Sequence, residues 1–203
     1  GVLLRRIIAT IDEHHSRENA RHAHRAMLRN AAEGFWNGAA PFGYRTRVAE
    51  TRGHRAKKVL EVVESEAAVV RRIFGLLLGL EGPSLGVQAI AARLNREGVD
   101  YRGKPFHVSN VRGILRREAY AGRHYFNRRD WRTGRVRDTA EWVAIDVPPI
   151  VPREVFERAQ EVLAARNPRT TPPRVVSGPT LLTGLAVCGR CGGGMTRGNG
   201  KSG

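Results

Sequence analysis

The chain has 203 residues, with 35 Lys and Arg against 19 Asp and Glu, a formal net charge of +16. Cys188 and Cys191, the two cysteines, are too few and too close in sequence to staple a secreted disulfide scaffold. No run approaches the roughly 18 apolar residues of a membrane span and no signal-peptide pattern opens the chain, so a soluble, cytoplasmic protein without a membrane partner is expected.

A hydrophobic content of 41% supports a packed core. A charge of this size repels itself in a compact state unless a polyanion neutralises it, which points to nucleic acid. The excess is clustered: net charge is +7 over residues 1–60, −2 over 61–100, +8 over 101–140 and +3 over 141–203. A GC-rich genome would raise the arginine content without function, but would not gather it in two segments.

Val2 to Glu33 contain neither Gly nor Pro, and Leu4, Ile7, Ile8 and Ile11, then Ala20, Ala23, Met27 and Ala31, recur at helical spacing. This predicts one helix about 48 Å long. Its first half carries an apolar surface that needs a partner, and its second half repeats Arg17, Arg21, Arg25 and Arg29 along one face. A solvated face explains the arginines equally simply, but like charges at this spacing repel, which favours phosphate contact. Gly34 to Tyr44 follow, with four aromatics and a proline, as an ordered arm or linker. Residues 43–49 and 57–63 are expected to pair as a hairpin around Glu50 to Ala56.

Three helices come next. Ser65 is expected to cap one running to Leu80, and Ser84 to start a second that Gly98 ends. Ser109 is expected to cap a short third with Val111, Ile114 and Leu115 inward and Asn110, Arg112, Arg116 and Arg117 outward. Strands at 121–126 and 141–147, joined by a basic loop carrying Arg128 and Arg129, make a second hairpin. Pro152 opens a last helix ending near Arg166, and the proline-rich residues 167–179 read as a linker.

A helix, a Gly-containing turn, a short helix with a basic outer face and a basic hairpin match the order of a helix-turn-helix with a wing, whose second helix enters the major groove. The turn exceeds the usual three or four residues, so an ordinary helical hairpin in a globular core stays open; charge placement favours DNA. Cys188-Gly-Arg-Cys191-Gly-Gly has the spacing of one zinc knuckle. A tetrahedral site needs two more ligands, commonly a second pair roughly 15 to 20 residues on. The chain stops 12 residues after Cys191, so a truncated ribbon that does not hold zinc stably by itself is expected. A redox dithiol lacks a thioredoxin-like context. His14, His15, His22 and His24 offer no i, i+4 pair for a metal, and Ser16 has no adjacent base to activate it. Glu61, Glu64 and Glu66 precede or open a helix, where carboxylates oppose its positive end.

Ser16-Arg17-Glu18 with Gly34-Phe-Trp-Asn-Gly38 and Pro41-Phe-Gly-Tyr44, IAARLNREGVDYRGKPFHVSNVRGILRREAYAG from Ile90 to Gly122, and LLTGLAVCGRCGGGM from Leu181 together resemble the large serine recombinases, the relatives of phage integrases and resolvase-invertases. The resemblance implies an α+β, helix-rich chain: a long helix leaving the catalytic domain (1–33), a winged-helix-like DNA-binding domain (34–166), a linker (167–179) and the start of a zinc ribbon (180–203). It implies double-stranded DNA as partner, a homodimer and synaptic tetramer in the parent protein, zinc in that parent, and no catalytic residue in this chain. Candidate DNA contacts are the α-helical arginines above, an arm of Phe35, Trp36 and Asn37 following the minor groove, and Arg102, Lys104, His107, Ser109 and Asn110 around the third helix. Phe106 stands where the family often has Trp, and Arg117-Glu118 where it often has Asn-Pro, which predicts a longer third helix. The readings from other classes are a stand-alone winged-helix transcription regulator and an RNA-binding ribbon protein.

Overall fold

The computed structural model describes residues 2–53, 55–130, 132–167, 186–192 and 195. The expected linker beyond Asn167 and most of the segment from 180 lie outside the described residues. Among those described, the chain is α+β, with five α-helices and two separate two-stranded antiparallel sheets.

Helix α1 (Val2–Ala32) is uninterrupted. It ends where Gly34 takes a φ of 82°, a left-handed conformation that glycine adopts without strain, and the Gly34 and Phe35 N–H groups bond the carbonyls of Ala31 (2.9 Å) and Asn30 (3.0 Å). Strands β1 (Tyr44–Arg52) and β2 (Arg55–Val62) pair from Tyr44 with Val62 to Arg52 with Arg55. The expected loop 50–56 is thus shorter, because an irregularity between Val48 and Glu50 absorbs one residue and lets the ladder continue.

Helices α2 (Glu64–Leu78), α3 (Val87–Arg96) and α4 (Val108–Arg116) occupy the predicted stretches, but none is capped by the expected serine. The N-cap positions fall on Val63, Gly86 and His107. Ser65 is exposed, and Ser84 instead donates its hydroxyl to the Leu77 carbonyl, folding the α2–α3 connection back onto α2. At α4 the Asn110 carboxamide oxygen accepts the His107 N–H at 2.9 Å. One turn earlier in the fold, Asn95 clamps Phe106 from both sides, donating to its carbonyl (2.9 Å) and accepting from its N–H (2.8 Å), so the end of α3 dictates where α4 begins.

The third helix is not lengthened. It stops at Arg116, Arg117 is extended (φ −87°, ψ 111°), and a 3-10 turn at Glu118–Ala121 buries Ala119 and Tyr120. Strands β3 (Arg123–Phe126) and β4 (Val143–Asp146) follow in antiparallel register, trimmed at their ends by this turn and by another at Thr139–Glu141. Helix α5 (Arg153–Ala165) starts after Pro152.

The core is built on α2. Val70, Ile73, Phe74 and Leu77 are fully buried against Ile90 and Leu94 of α3, Val111, Ile114 and Leu115 of α4, and Phe156 and Ala159 of α5. Each such aliphatic or aromatic side chain contributes on the order of 1.5–3 kcal/mol by leaving water. Tyr44 and Tyr120 stack with ring centroids 5.8 Å apart, and burial raises both phenol pKa values. Their hydroxyls are satisfied: Tyr120 donates to the Phe42 carbonyl (2.7 Å), and Tyr44 reaches those of Pro148 (2.7 Å) and Ala119 (3.0 Å). The end of α1 rests on the second sheet, with Ala31 buried and His24 beside Phe126 at 6.5 Å.

Candidate functional site

A basic side chain can serve an external anion only if no internal acceptor holds it, so the arginines divide by partner. Helix α4 turns Val111, Ile114 and Leu115 into the core, and the 3.6-residue period then forces Ser109, Arg112, Gly113 and Arg116 outward. These four and Arg117, just past the helix, are exposed, and none of the three guanidinium groups has a carboxylate or hydrogen-bond partner among the described residues. Lys104, in the turn leading into α4, has an exposed side chain on the same terms; His107 is exposed too, but its side chain is engaged in the α4 capping box with Asn110. Asn110 is half-buried, and its carboxamide oxygen is already engaged in the cap. A cleft of about 660 Å³ opens beside α4, floored by Leu77, Val87 and Leu163 and edged by Arg112, Arg116 and Arg166.

The loop between β3 and β4 is organised by Asp130. Its carboxylate accepts the N–H groups of Arg132 and Thr133 (2.9 Å each) and pairs with Arg137 (2.8 Å), and these amides hold its pKa below the ordinary aspartate value. Arg137 also pairs with Glu141, at 2.9 Å. Of the two expected contacts here, Arg128 is engaged inside the fold: it pairs with Glu118 (2.8 Å) and lies 4.8 Å from the Trp142 ring centre. The Arg129 guanidinium donates to the Gly134 carbonyl (3.2 Å). Arg132 and Arg135, which the sequence reading omitted, are exposed, and their side chains have no partner among the described residues. The signal for them was present in Asp130-Trp-Arg-Thr-Gly134-Arg, a turn sequence that must place its arginines at a loop tip.

On α1 the stripe Arg17, Arg21, Arg25 and Arg29 is exposed throughout. Arg17 pairs with Glu13 (2.7 Å), whereas the other three have no partner among the described residues. Ser16 is exposed in mid-helix, and the four histidines form no cluster suited to a metal among the described residues.

Segment 34–44 departs from expectation. Trp36 is not part of a projecting arm but 7% exposed, with its ring 4.7 Å from that of His124 and its indole N–H donating to the Ala39 carbonyl (3.2 Å). This burial, with Arg117 nearby, lowers the His124 pKa. Asn37 donates to the Met27 carbonyl (2.9 Å) and accepts from Asn30 (2.9 Å), fastening the segment to the end of α1. Phe35 is flanked by Lys57 (5.2 Å) and Arg52 (5.9 Å), whose charges also pair with Glu33 at 3.3 and 2.9 Å.

Arg102 is likewise committed inside the molecule. At a φ of 53° it donates to both oxygens of Glu66 (2.8 Å each) and to the carbonyls of Ala40 (3.1 Å), Pro41 (3.1 Å) and Tyr44 (2.8 Å). Glu66 also accepts the Gly43 N–H at 2.6 Å, and Arg102 first, then this amide, keep its carboxyl below the ordinary glutamate pKa. Gly43 sits at a φ of 91° where a Cβ would meet Ile150 Cδ1 at 2.8 Å, so only glycine fits. This clasp holds the α3–α4 turn against the segment that precedes β1. Glu66, read from sequence as a dipole partner of α2, was missed because its partner lies 36 residues away.

Cys188 and Cys191 lie in a tight turn closed by the Gly192 N–H on the Cys188 carbonyl (2.8 Å) and the Met195 N–H on that of Ala186 (2.9 Å). The N–H groups of Arg190 and Cys191 lower the Cys188 thiol pKa, the disposition a metal-binding thiolate needs. The pair fits half of a tetrahedral set, and among the described residues no group of three or more ligand-type side chains completes it. No described helix is long and apolar enough to cross a membrane.

Comparison with known proteins places this geometry. A family model described as Recombinase matches residues 64–166. The "Putative DNA recombinase" of Bacillus subtilis (strain 168) is 32% identical over 159 residues, covering 70% of this chain and 31% of that protein. A solved LSR–DNA complex superposes with a TM-score of 0.53 at 21% identity, over 85% of this chain and 48% of that one. A structure concerning sequence requirements of the Listeria innocua prophage attP site gives 0.52 at 22% identity, over 84% and 62%. At these identities the likeness to the solved structures is one of fold, and the chain spans about a third of the length of the curated relative.

Proposed function

The chain belongs to the Recombinase family, and from that premise we propose that it is the DNA-addressing part of a site-specific recombinase of the large serine type. The observation that carries this reading is α4: a helix locked into the core on one side presents Ser109, Arg112 and Arg116 on the other, with Arg117 just past its end, and no guanidinium among them has an acceptor among the described residues. A bidentate guanidinium matches the O6 and N7 of guanine in the major groove. Arg129, Arg132 and Arg135 on the β3–β4 loop, Lys104 before α4 and the α1 stripe then meet phosphates on either side, fixing orientation without reading sequence. Asn110 contributes to the start of α4 through its carboxamide oxygen, and its amide nitrogen, which has no partner among the described residues, would be offered to a base.

In the parent protein a serine outside this chain would attack the phosphodiester, and α1 would support the dimer and the synaptic tetramer. Cys188 and Cys191 would supply two ligands of a zinc ion whose remaining donors lie elsewhere. This chain would supply the address. Its described serines lack the setting of a nucleophile, since Ser16 and Ser65 are exposed on helices and Ser84 is bonded to Leu77.

The test is binding to duplex DNA against salt. With about six phosphates contacted, affinity should fall on the order of a thousandfold between 50 and 200 mM salt. Salt-independent binding, or equal affinity for structured RNA, would refute the proposal. Incubation with supercoiled DNA followed by protease digestion should leave no phosphoserine-linked adduct.

A further inference from the structure

Gly113 stands in the middle of α4, on its exposed side, with nothing among the described residues to account for it. Its φ is not left-handed, and among the described residues a Cβ built on it meets no atom within 4 Å beyond its chain neighbours and the backbone of α4 itself. Any L-residue would fit. A glycine in a helix interior is less favourable than alanine, because the free backbone loses more entropy on folding. Here no turn, close packing or backbone strain offsets that cost.

The surroundings indicate where the compensation lies. Ser109 is one turn before Gly113 and Arg117 four residues after it; Arg112 and Arg116 line one side of it, with no partners among the described residues. Buried Val111, Ile114 and Leu115 mark the opposite side of α4, so the line from Ser109 through Gly113 is the crest that projects furthest from the core. A crest without a Cβ, beside long cations that can reach past it, suits a surface that must come close to the helix backbone while the guanidinium groups extend along it.

Resting on the DNA reading above, we propose that Gly113 is the point of closest approach between α4 and base-pair edges in the major groove, and is therefore a specificity-determining position. A side chain there would hold the helix axis away from the bases and pull Arg112 and Arg116 out of bidentate reach, while phosphate contacts made by the β3–β4 loop and α1 would persist.

The experiment compares the full chain with its Gly113→Ala and Gly113→Leu variants. A duplex selected from a randomised pool by the unaltered chain is one probe and poly(dI-dC) the other. Gly113→Ala should raise the melting temperature by about 2 °C. Affinity for the selected duplex should fall roughly tenfold with Ala and further with Leu, as expected when one bidentate contact is lost. Affinity for poly(dI-dC) and its salt slope should not change. A lower melting temperature for Gly113→Ala would reveal a structural role and overturn the proposal. So would undiminished preference for the selected duplex in Gly113→Leu, and the DNA reading would then stand alone. Failure of the unaltered chain to bind either duplex would overturn the DNA reading and the proposal with it.

Discussion

Segment 34–44 and the exposed side of α4 are both rich in the residue types that contact nucleic acid, yet they dispose of their polar groups in opposite ways. In the segment, the Trp36 indole, the Asn37 carboxamide and the carbonyls of Ala40, Pro41 and Phe42 all find partners within the fold. On α4, Arg112, Arg116 and the adjacent Arg117 find none among the described residues. The segment is therefore a joint, fastening α1, β2 and the α3–α4 turn together, whereas α4 is a display surface held rigid from behind. A buried polar group must be satisfied internally or it destabilises the fold, but an exposed guanidinium loses little by waiting for an external partner. Composition alone does not separate the two cases.

The sharpest way to break this contrast is Trp36→Ala. If the segment is a joint, the loss of a buried indole should lower stability by about 3–5 kcal/mol in chemical denaturation. DNA affinity measured well below the transition should change little. A stable protein with weakened binding would restore the segment as a DNA-contacting arm.

Arg112→Ala or Arg116→Ala should behave in the reverse sense. Each should cost about 1–3 kcal/mol in affinity for a preferred duplex and relax choice at particular base pairs, with an unchanged denaturation midpoint. Arg21→Ala should weaken all duplexes alike and reduce the salt slope by about one. An equal loss across sequences for Arg112→Ala would place that residue with the phosphate contacts.

The clasp between Glu66 and Arg102 predicts a pH effect. The Glu66 carboxyl is held below its ordinary value of 4.5 in the native state. The unfolded chain therefore takes up this proton at higher pH than the native one, and the stabilisation, fully present above that value, is lost as pH falls through the native pKa. Melting temperatures recorded from neutral pH into the acid range should fall less steeply for Glu66→Gln than for the unaltered chain. Parallel profiles would mean that the clasp carries no proton-linked stability. The smallest effect is expected from chelation: with half a ligand set in Cys188 and Cys191, a chelator should leave melting and DNA affinity where they were.

Much of the fold was legible in the chain because helices α1 to α5 and both hairpins are written in local spacing. Apolar residues three and four apart in α2, such as Val70, Ile73, Phe74 and Leu77, declare a buried face without reference to the rest of the molecule. Helix ends were less legible. Ser65, Ser84 and Ser109 have the chemistry of caps, but the starts of α2, α3 and α4 fall at Val63, Gly86 and His107, and α4 is placed by Asn95 gripping Phe106 from 11 residues away.

The amino-acid sequence by itself determined the order of elements, the clustering of positive charge and the outward arginines of α4, because periodicity and charge are properties of neighbours. The tertiary structure alone decided which basic and aromatic groups remain available. Arg102 and Lys104 are two residues apart and look alike as phosphate ligands, but the Arg102 guanidinium meets Glu66 and three carbonyls across the fold while the Lys104 ammonium meets no partner among the described residues. Likewise Trp36 becomes core only because His124, on a strand 88 positions later, supplies the other side of its pocket. An acceptor brought close by folding is invisible to local pattern, and it is the acceptor that turns a candidate ligand-binding arginine into a structural one.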